Sequence, residues 1–338
     1  MKTGVDILEN EIVQQYPEVL DILLRDHSTR KNIFWATSNY EHLGDAYNYY
    51  SHISPDLITG GNGNIIMPRV HKDKFLQQSR SKEMAEVFTP SWICNTQNNL
   101  IDNAWFGEEG VFNREITTLD GSKNWEVNSN KIRFPKGKTW KDYVRDTRLE
   151  IACGEAPYIT SRYDSTTGVF IPVENRIGIL DRKLRVINEN VHTTGNWLKA
   201  AQTAYKNTYA FEWQGDSLLL AREAMLTTFI ENYTQKFGKE PLLKSIQYIA
   251  YIISWNVWQM DGLKGIVPNT CGAITITEKD LFGKTQTKNT FCPGCLDNNI
   301  FRHNGIYCLI KDWSNKDPKT GKTGRKIRFV DLLKRKGK

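Results

Sequence analysis

The sequence predicts an α/β fold built on a doubly wound, mostly parallel sheet, and three observations carry that prediction. From residue 149 onward, short apolar runs alternate with long helical patterns, as expected of strands joined by crossover helices. The first run, residues 149 to 152, meets a turn at Gly154, where a residue without a Cβ lets backbone approach a ligand closely. Two later runs end on carboxylates, Glu212 after "TYAF" and Asp261 in "WNVWQMDGLKG". Ligands of such sheets sit beyond the carboxyl ends of the strands.

Before that core, residues 5 to 26, "VDILENEIVQQYPEVLDILLRD", place apolar residues at helical spacing, interrupted at Pro17. "KNIFWAT" reads as a short strand and "SPDLITGGNGN" as a glycine-asparagine loop. Residues 72 to 86 read as a polar helix leading into "EVFTPSWICNTQNNLIDNAW", and 107 to 140 as loops with short strands. "VHTTGNWLKAAQTAYKN" predicts a helix with its N-cap at or beside Thr194. "DSLLLAREAMLTTFIENYTQKF" predicts another, and "LLKSIQYIAYIISWNVWQ" an apolar helix that runs into a strand. The expected organisation is a helical and loop segment over 1–80, a cofactor-binding core over 81–268, and a small cysteine-containing basic module over 269–338.

Composition excludes several classes. With 39% hydrophobic and 25% charged residues the chain reads as globular rather than disordered. No apolar run reaches the roughly 18 residues needed to span a bilayer, so no membrane partner is expected. The first twenty residues carry acids inside their apolar pattern, which is not a secretory signal, and a cytoplasmic location is the expectation. The net charge of +7 is concentrated at one end: residues 311 to 338 hold eleven Lys and Arg against three Asp. That tail is either a phosphate-backbone contact or a solvated terminus.

Several phrases resemble DNA adenine methyltransferases that use S-adenosylmethionine. "EVFTP" looks like the segment that lies against the methionine end of the cofactor, and "LEIACGEAPY" like the family's glycine motif. "YAFEWQGDSLLLAREAML" resembles the strand, acid and helix that hold the ribose, and "VWQMDGL" the segment whose Asp meets the adenine. "CGEAPYITSRYD", "RIGILDRKLRVIN" and "FEWQGDSLLLARE" look like a bacterial and phage group of type I-like restriction-modification M subunits. The resemblance covers roughly residues 86 to 264, about half the chain. It implies the S-adenosylmethionine-dependent methyltransferase type of fold, double-stranded DNA as substrate, and a restriction or specificity subunit as a further partner. It also implies a bacterial or phage-infected host and methylation of the exocyclic amine of adenine. A non-catalytic protein that keeps only the DNA- or cofactor-binding role is the alternative.

Carried over residue by residue, Phe88, Thr89 and Pro90 would line the methionine end, and Glu150 would end the first strand. Cys153, Gly154 and Glu155 would form the turn, Glu212 would hold the ribose, with Asp181 as rival, and Asp261 would hold the adenine. Two departures stand out. Glu155 and Ala156 replace the usual Ser-Gly, so a carboxylate either meets the cofactor's amino group or crowds it. The Pro-Pro-aromatic tetrapeptide that grips the flipped base is absent; Pro268 and Asn269 are the nearest catalytic substitutes, with no aromatic beside them.

Of six cysteines, four fall late. Cys292 and Cys295 form a Cys-Pro-Gly-Cys knuckle, with Cys271 before it and His303 and Cys308 after it. Zinc takes four soft or borderline ligands, so Cys271, Cys292, Cys295 and Cys308 are the candidate set, with His303 as a substitute for one of them. Buried thiols and a redox pair are the competing readings. Arg162, Arg176, Arg182, Lys183 and Arg185 follow the glycine turn closely and read either as a phosphate-facing patch or as a solvated edge.

Overall fold

The computed structural model describes residues 5–83, 89–279 and 285–336. The N-terminal part contains α1 (Glu9–Gln15), α2 (Val19–Leu24), α3 (Pro55–Ile58), α4 (Lys74–Glu83) and α5 (Ser91–Phe106). A hairpin, β1 (Asn113–Thr117) and β2 (Lys123–Val127), and α6 (Trp140–Arg145) follow. The central unit runs β3 (Arg148–Ile151), α7 (Ile179–Asn190), α8 (Thr194–Lys206), β4 (Thr208–Glu212), α9 (Gly215–Phe237), α10 (Leu243–Asn256) and β5 (Val257–Gln259). The chain ends with β6 (Ile274–Lys279), β7 (Thr285–Thr290), α11 (Pro293–Leu296), β8 (Leu309–Lys316) and β9 (Thr323–Arg328).

The predicted doubly wound, mostly parallel sheet is not what forms. The parallel sheet has three strands in the order β3-β4-β5, and the other sheets of the described residues are the antiparallel pairs β1-β2, β6-β7 and β8-β9. The reason lies after β5. The chain turns back at once, with Asp261 bridging Ile266 and Ile266 bridging Tyr307, and its later strands pair locally as hairpins. Local hairpins need only a short connection, whereas each further parallel strand needs a long crossover. The basic stretch after Asp181 lies in helix α7. Its Leu180, Leu184 and Ile187 are buried at helical spacing.

Each crossover between parallel strands consists of two helices, and all four pack on one face of the sheet. On that face Ala210 and Val257 join Trp197, Tyr205, Phe229 and Ile253 in the main core. The opposite face carries Phe211 and Trp258, which pack with Phe34, Met260, Val267 and Ile310 in a smaller cluster. "KNIFWAT" reaches this cluster through Gln259: its Oε1 accepts from Phe34 N at 3.1 Å and its Nε2 donates to Phe34 O at 2.9 Å. The side-chain amide thus pairs with backbone as a neighbouring strand would.

The expected basic patch after the glycine turn lies in the interior. Arg162 and Arg176 both bind Glu231, at 3.0 and 2.6 Å, and Arg182 binds Asp102 at 2.6 Å. Lys183 is buried on the carbonyls of Asp146 and Asn207, and burial lowers its pKa to about 7. Arg185 pairs with Glu189 one turn along its own helix. A buried cation needs a partner, and these partners come from helices far away in sequence.

Candidate functional site

The carboxyl edge of β3-β4-β5 gathers most of the residues expected to hold a ligand. After β3 the backbone turns through Ala152 (φ 49°), Gly154 (φ 52°) and Ala156 (φ 60°), three left-handed positions of which only one is glycine. Such strain persists where neighbours over-determine it. Here Cys153 N donates to Phe211 O at 2.9 Å, Gly154 N to Glu212 Oε2 at 2.8 Å, and Ala156 N to Cys153 O at 2.7 Å. A Cβ placed on Gly154 would meet no atom within 4 Å, so open space lies above the turn.

Glu212 fastens two strand ends together. Its Oε2 takes the Gly154 amide, and its Oε1 takes the amides of Trp213 (2.8 Å) and Gln214 (3.2 Å). Burial pushes its pKa up, against the pull of those three donors. A carboxylate has about four lone-pair positions, so acceptor capacity remains on a side chain whose orientation is already fixed. Asp261, two residues beyond β5, accepts from the amides of Leu263 and Lys264 and lies 3.4 Å from Lys264 Nζ.

Other expected residues are occupied with holding the turn. Glu150 accepts from Ile159 N at 3.1 Å and Tyr158 N at 3.4 Å, and burial raises its pKa to about 8. Glu155 accepts from Arg69 N at 2.8 Å and Tyr163 OH at 2.6 Å, so both oxygens are engaged inside the protein. Cys153 is buried and its thiol is pushed well up by desolvation, which makes it an unreactive wall. Asp181 caps α7, its Oδ2 accepting from Ser161 N and Gly178 N, and so is committed away from the strand ends.

Thr89 and Pro90 approach the loop beyond the glycine turn. Ser165 Oγ donates to Thr89 O at 2.8 Å, and Ser91 N donates to Asp164 Oδ2 at 2.7 Å. Pro90 is the N-cap of α5. Phe88 lies outside the described residues. The preceding helix α4 is anchored at the start of α9, where Arg80 donates to Asp216 and Gln214 at 2.8 and 2.7 Å. Tyr40 OH also donates to Asp216, at 2.8 Å. The pull of Arg80 and Lys72 holds the Asp216 carboxyl far below its usual range, although burial acts in the opposite direction.

Pro268 is buried and Asn269 is exposed in the left-handed region (φ 57°). Asn269 Nδ2 donates to Tyr49 OH at 3.0 Å, and Trp213 Nε1 donates to the same oxygen at 2.9 Å. Tyr49 meets the exposed Tyr50 edge-on at 4.9 Å between ring centroids. Aromatic residues do stand beside Asn269, but they come from 220 positions earlier in the chain. The tyrosine-rich stretch "AYNYY" carries these aromatics in the sequence.

The cysteine knuckle forms a second constellation. Ligand atoms of Cys271, Cys292, Cys295 and His303 all lie within 4.8 Å of one another, which makes a group able to hold a metal ion. Cys271 Sγ is 3.7 Å from Cys295 Sγ, and His303 Nδ1 is 3.5 Å from Cys292 Sγ and 3.7 Å from Cys295 Sγ. His303 takes the fourth place, whereas Cys308 is buried at the start of β8 and directs its Sγ to Gln259 O at 3.3 Å. Gly294 permits the fit, because a Cβ there would lie 2.5 Å from His303 N. Burial acts to raise the Cys292 pKa, but the amides of Asn304 and Cys295 and the His303 ring bring it down to about 6. A low thiol pKa favours the thiolate that metals bind. Asn304 links the two halves of the cluster through Gly272, donating to its carbonyl at 2.9 Å and accepting from its amide at 3.2 Å.

No protein-family profile, curated protein or solved structure matches the chain. Among the described residues, no helix is long and apolar enough to cross a membrane.

Proposed function

We propose that the carboxyl edge of β3-β4-β5 binds S-adenosylmethionine and that the protein uses it to methylate DNA, at the exocyclic amine of adenine. One observation carries the reading. At the carboxyl ends of three adjacent parallel strands lie, in chain order, Gly154 three residues beyond β3, Glu212 at the end of β4 and Asp261 two residues beyond β5, and the first two are locked together by the 2.8 Å contact between Gly154 N and Glu212. Glu212 offers an oriented acceptor for vicinal hydroxyls, Asp261 an acceptor one strand away for an amine, and Gly154 leaves room for the ligand between them. When bound, S-adenosylmethionine supplies an electrophilic methyl group; the chain's own residues orient it and exclude water.

We further propose that the cysteine and histidine cluster holds structural zinc. Zinc–sulfur and zinc–nitrogen distances of about 2.3 and 2.1 Å imply tetrahedral edges of roughly 3.4–3.8 Å. The three contacts above, 3.5 to 3.7 Å, fit that range. Four protein ligands leave no open position, which suits a structural site rather than a catalytic one.

A second reading is a non-catalytic protein that keeps the binding edge. It is favoured by the absence of any Pro-Pro pair and by the engagement of the Asn269 amide with Tyr49. Mass spectrometry of nucleosides from DNA incubated with protein and S-adenosylmethionine separates the two. N6-methyladenine supports the first reading, and binding heat by calorimetry with no methylated base supports the second. Absence of binding heat removes the cofactor from both.

A further inference from the structure

The face of the parallel sheet turned away from its helices is only partly covered. Between this face and the β8-β9 hairpin lies a groove of about 750 Å³, floored by Tyr209, Trp258, Trp313 and Phe329. It meets a second cavity of about 550 Å³ between α6 and α8, and Arg145 and Thr203 line both. Besides the buried Lys311, four cations stand along this path: Lys141, Arg145 and Lys199 are exposed and Lys206 is half-buried. None of the four makes an ion pair among the described residues.

Asp312 is the acid lining the path, and it is turned onto its own loop, accepting from Ser314 and Asn315. Lys206 is held over the Tyr248 and Trp313 rings at 5.3 Å from each centroid, and Lys311 over Trp313 at 4.9 Å. The floor is thus aromatic and positively charged. On the edge strand, Leu149 and Ile151 are 41% and 69% exposed, which extends the apolar floor outward.

We propose that this path binds a strand of nucleic acid, with phosphates on Lys141, Arg145, Lys199 and Lys206 and an unpaired base against the half-buried Tyr209 and Phe329. Unpaired cations over aromatic rings are the chemistry of single-strand grooves, where backbone phosphates displace counterions and base faces stack. A second copy of this chain is the poorer occupant, because a two-fold contact sets the same cations against one another. With the reading of the strand-end site it shares the nucleic-acid partner alone, and it places that partner on a different surface.

The test is fluorescence anisotropy of the full chain, without S-adenosylmethionine, on a labelled single-stranded 20-mer and its duplex at several salt concentrations. Simultaneous Arg145→Ala, Lys199→Ala and Lys206→Ala substitution weakens single-strand binding at least tenfold. The same triple change flattens the slope of log affinity against log salt by about 2. Alanine at three exposed lysines that line neither cavity, Lys31, Lys136 and Lys244, changes the slope by less than 1. An unchanged slope in the groove variant overturns the proposal, as does a wild-type chain that binds neither probe. A dimer in sedimentation that Ile151→Glu dissociates also overturns it, in favour of a second copy. Calorimetry with S-adenosylmethionine on the same triple variant keeps the two readings apart: retained heat with an unchanged slope sinks the groove alone, and lost heat in wild type with a flattened slope in the variant sinks the strand-end reading alone.

Discussion

The strand-end site and the cysteine cluster are organised by opposite means. At the strand ends, every carboxylate is held by backbone amides on elements whose apolar faces are already buried: Glu212 by Gly154, Trp213 and Gln214, and Glu150 by Tyr158 and Ile159. The site is shaped before any ligand arrives. In the cluster, Cys271, Cys295 and His303 are half-buried or exposed, and the strands on either side of it are short hairpins. There the ligand atoms themselves are the crosslink. One site is supported by a hydrophobic core and the other by the ion it would hold.

The sharpest way to break this contrast is to remove the metal. Binding energies of structural zinc reach about 10 kcal/mol, and where no core replaces the ion that energy is folding energy. A strong chelator, or Cys292→Ser, therefore abolishes amide-exchange protection between residues 265 and 308. Protection of β3-β5 and α7-α10 stays intact. Equal loss in both regions would show the two to be one cooperative unit. Less than half an equivalent of zinc in the purified protein would remove the zinc assignment.

Next in size is Asp216→Asn, which leaves Arg80 and Lys72 buried around a neutral amide. Removing one member of a buried ion pair costs about 3–5 kcal/mol. Chemical denaturation should show that loss, with the metal still bound. Glu212→Gln is smaller for stability, about 1–2 kcal/mol, because two of its three amide contacts can survive on the remaining oxygen. It should nonetheless weaken S-adenosylmethionine at least tenfold in calorimetry. An unchanged affinity would show that the ligand does not touch Glu212.

The smallest effect is a matter of pH. Glu223 is buried with both carboxyl oxygens unpartnered, and burial, with Glu9 nearby, raises its pKa well above the ordinary value. Glu9 is raised, mainly by burial, to about 8. Carboxyls whose folded pKa is raised hold protons more tightly in the folded state. Their stabilisation is full below the unfolded value near 4.5 and is lost as pH climbs through their raised folded values, which for Glu9 is about 8. Glu223→Gln, which mimics the protonated acid, should match wild type in thermal melts at pH 5 and exceed it by roughly 2–6 °C at pH 9. Equal melting at both pH values would show that Glu223 is not buried as a neutral acid.

What the sequence made readable follows from the range of the interactions. The helices around 194–206, 215–237 and 243–256 were visible because their apolar spacing is local, and the acids at 212 and 261 because each directly ends an apolar run. The extent of the sheet was not visible, since it depends on where the chain goes after Asp261, a choice made by contacts with Tyr307 and Cys308. Arg162, Arg176 and Arg182 looked like surface cations because their acids, Glu231 and Asp102, lie 55 to 80 residues away. The expected fourth cluster member was Cys308, with His303 only as its substitute, and the structure reverses the two. Close packing at Gly294 brought in His303, while β8 turned Cys308 toward Gln259.

The pairing of Gln259 with Phe34 has a consequence for how the chain matures during synthesis. The segment around Phe34 leaves the ribosome early, yet the amide that imitates its neighbouring strand follows 225 residues later. Until β5 has emerged, Phe34 and Ala36 can meet Phe211 of the sheet face but not Trp258, which has not been made. This segment is therefore held at first only by its local backbone bonds to residues 24 and 49–53, with part of its apolar surface exposed to chaperones and to mispairing. Translation that stalls before residue 259 should leave a product in which Phe34 lacks both its paired amide and part of its apolar cover.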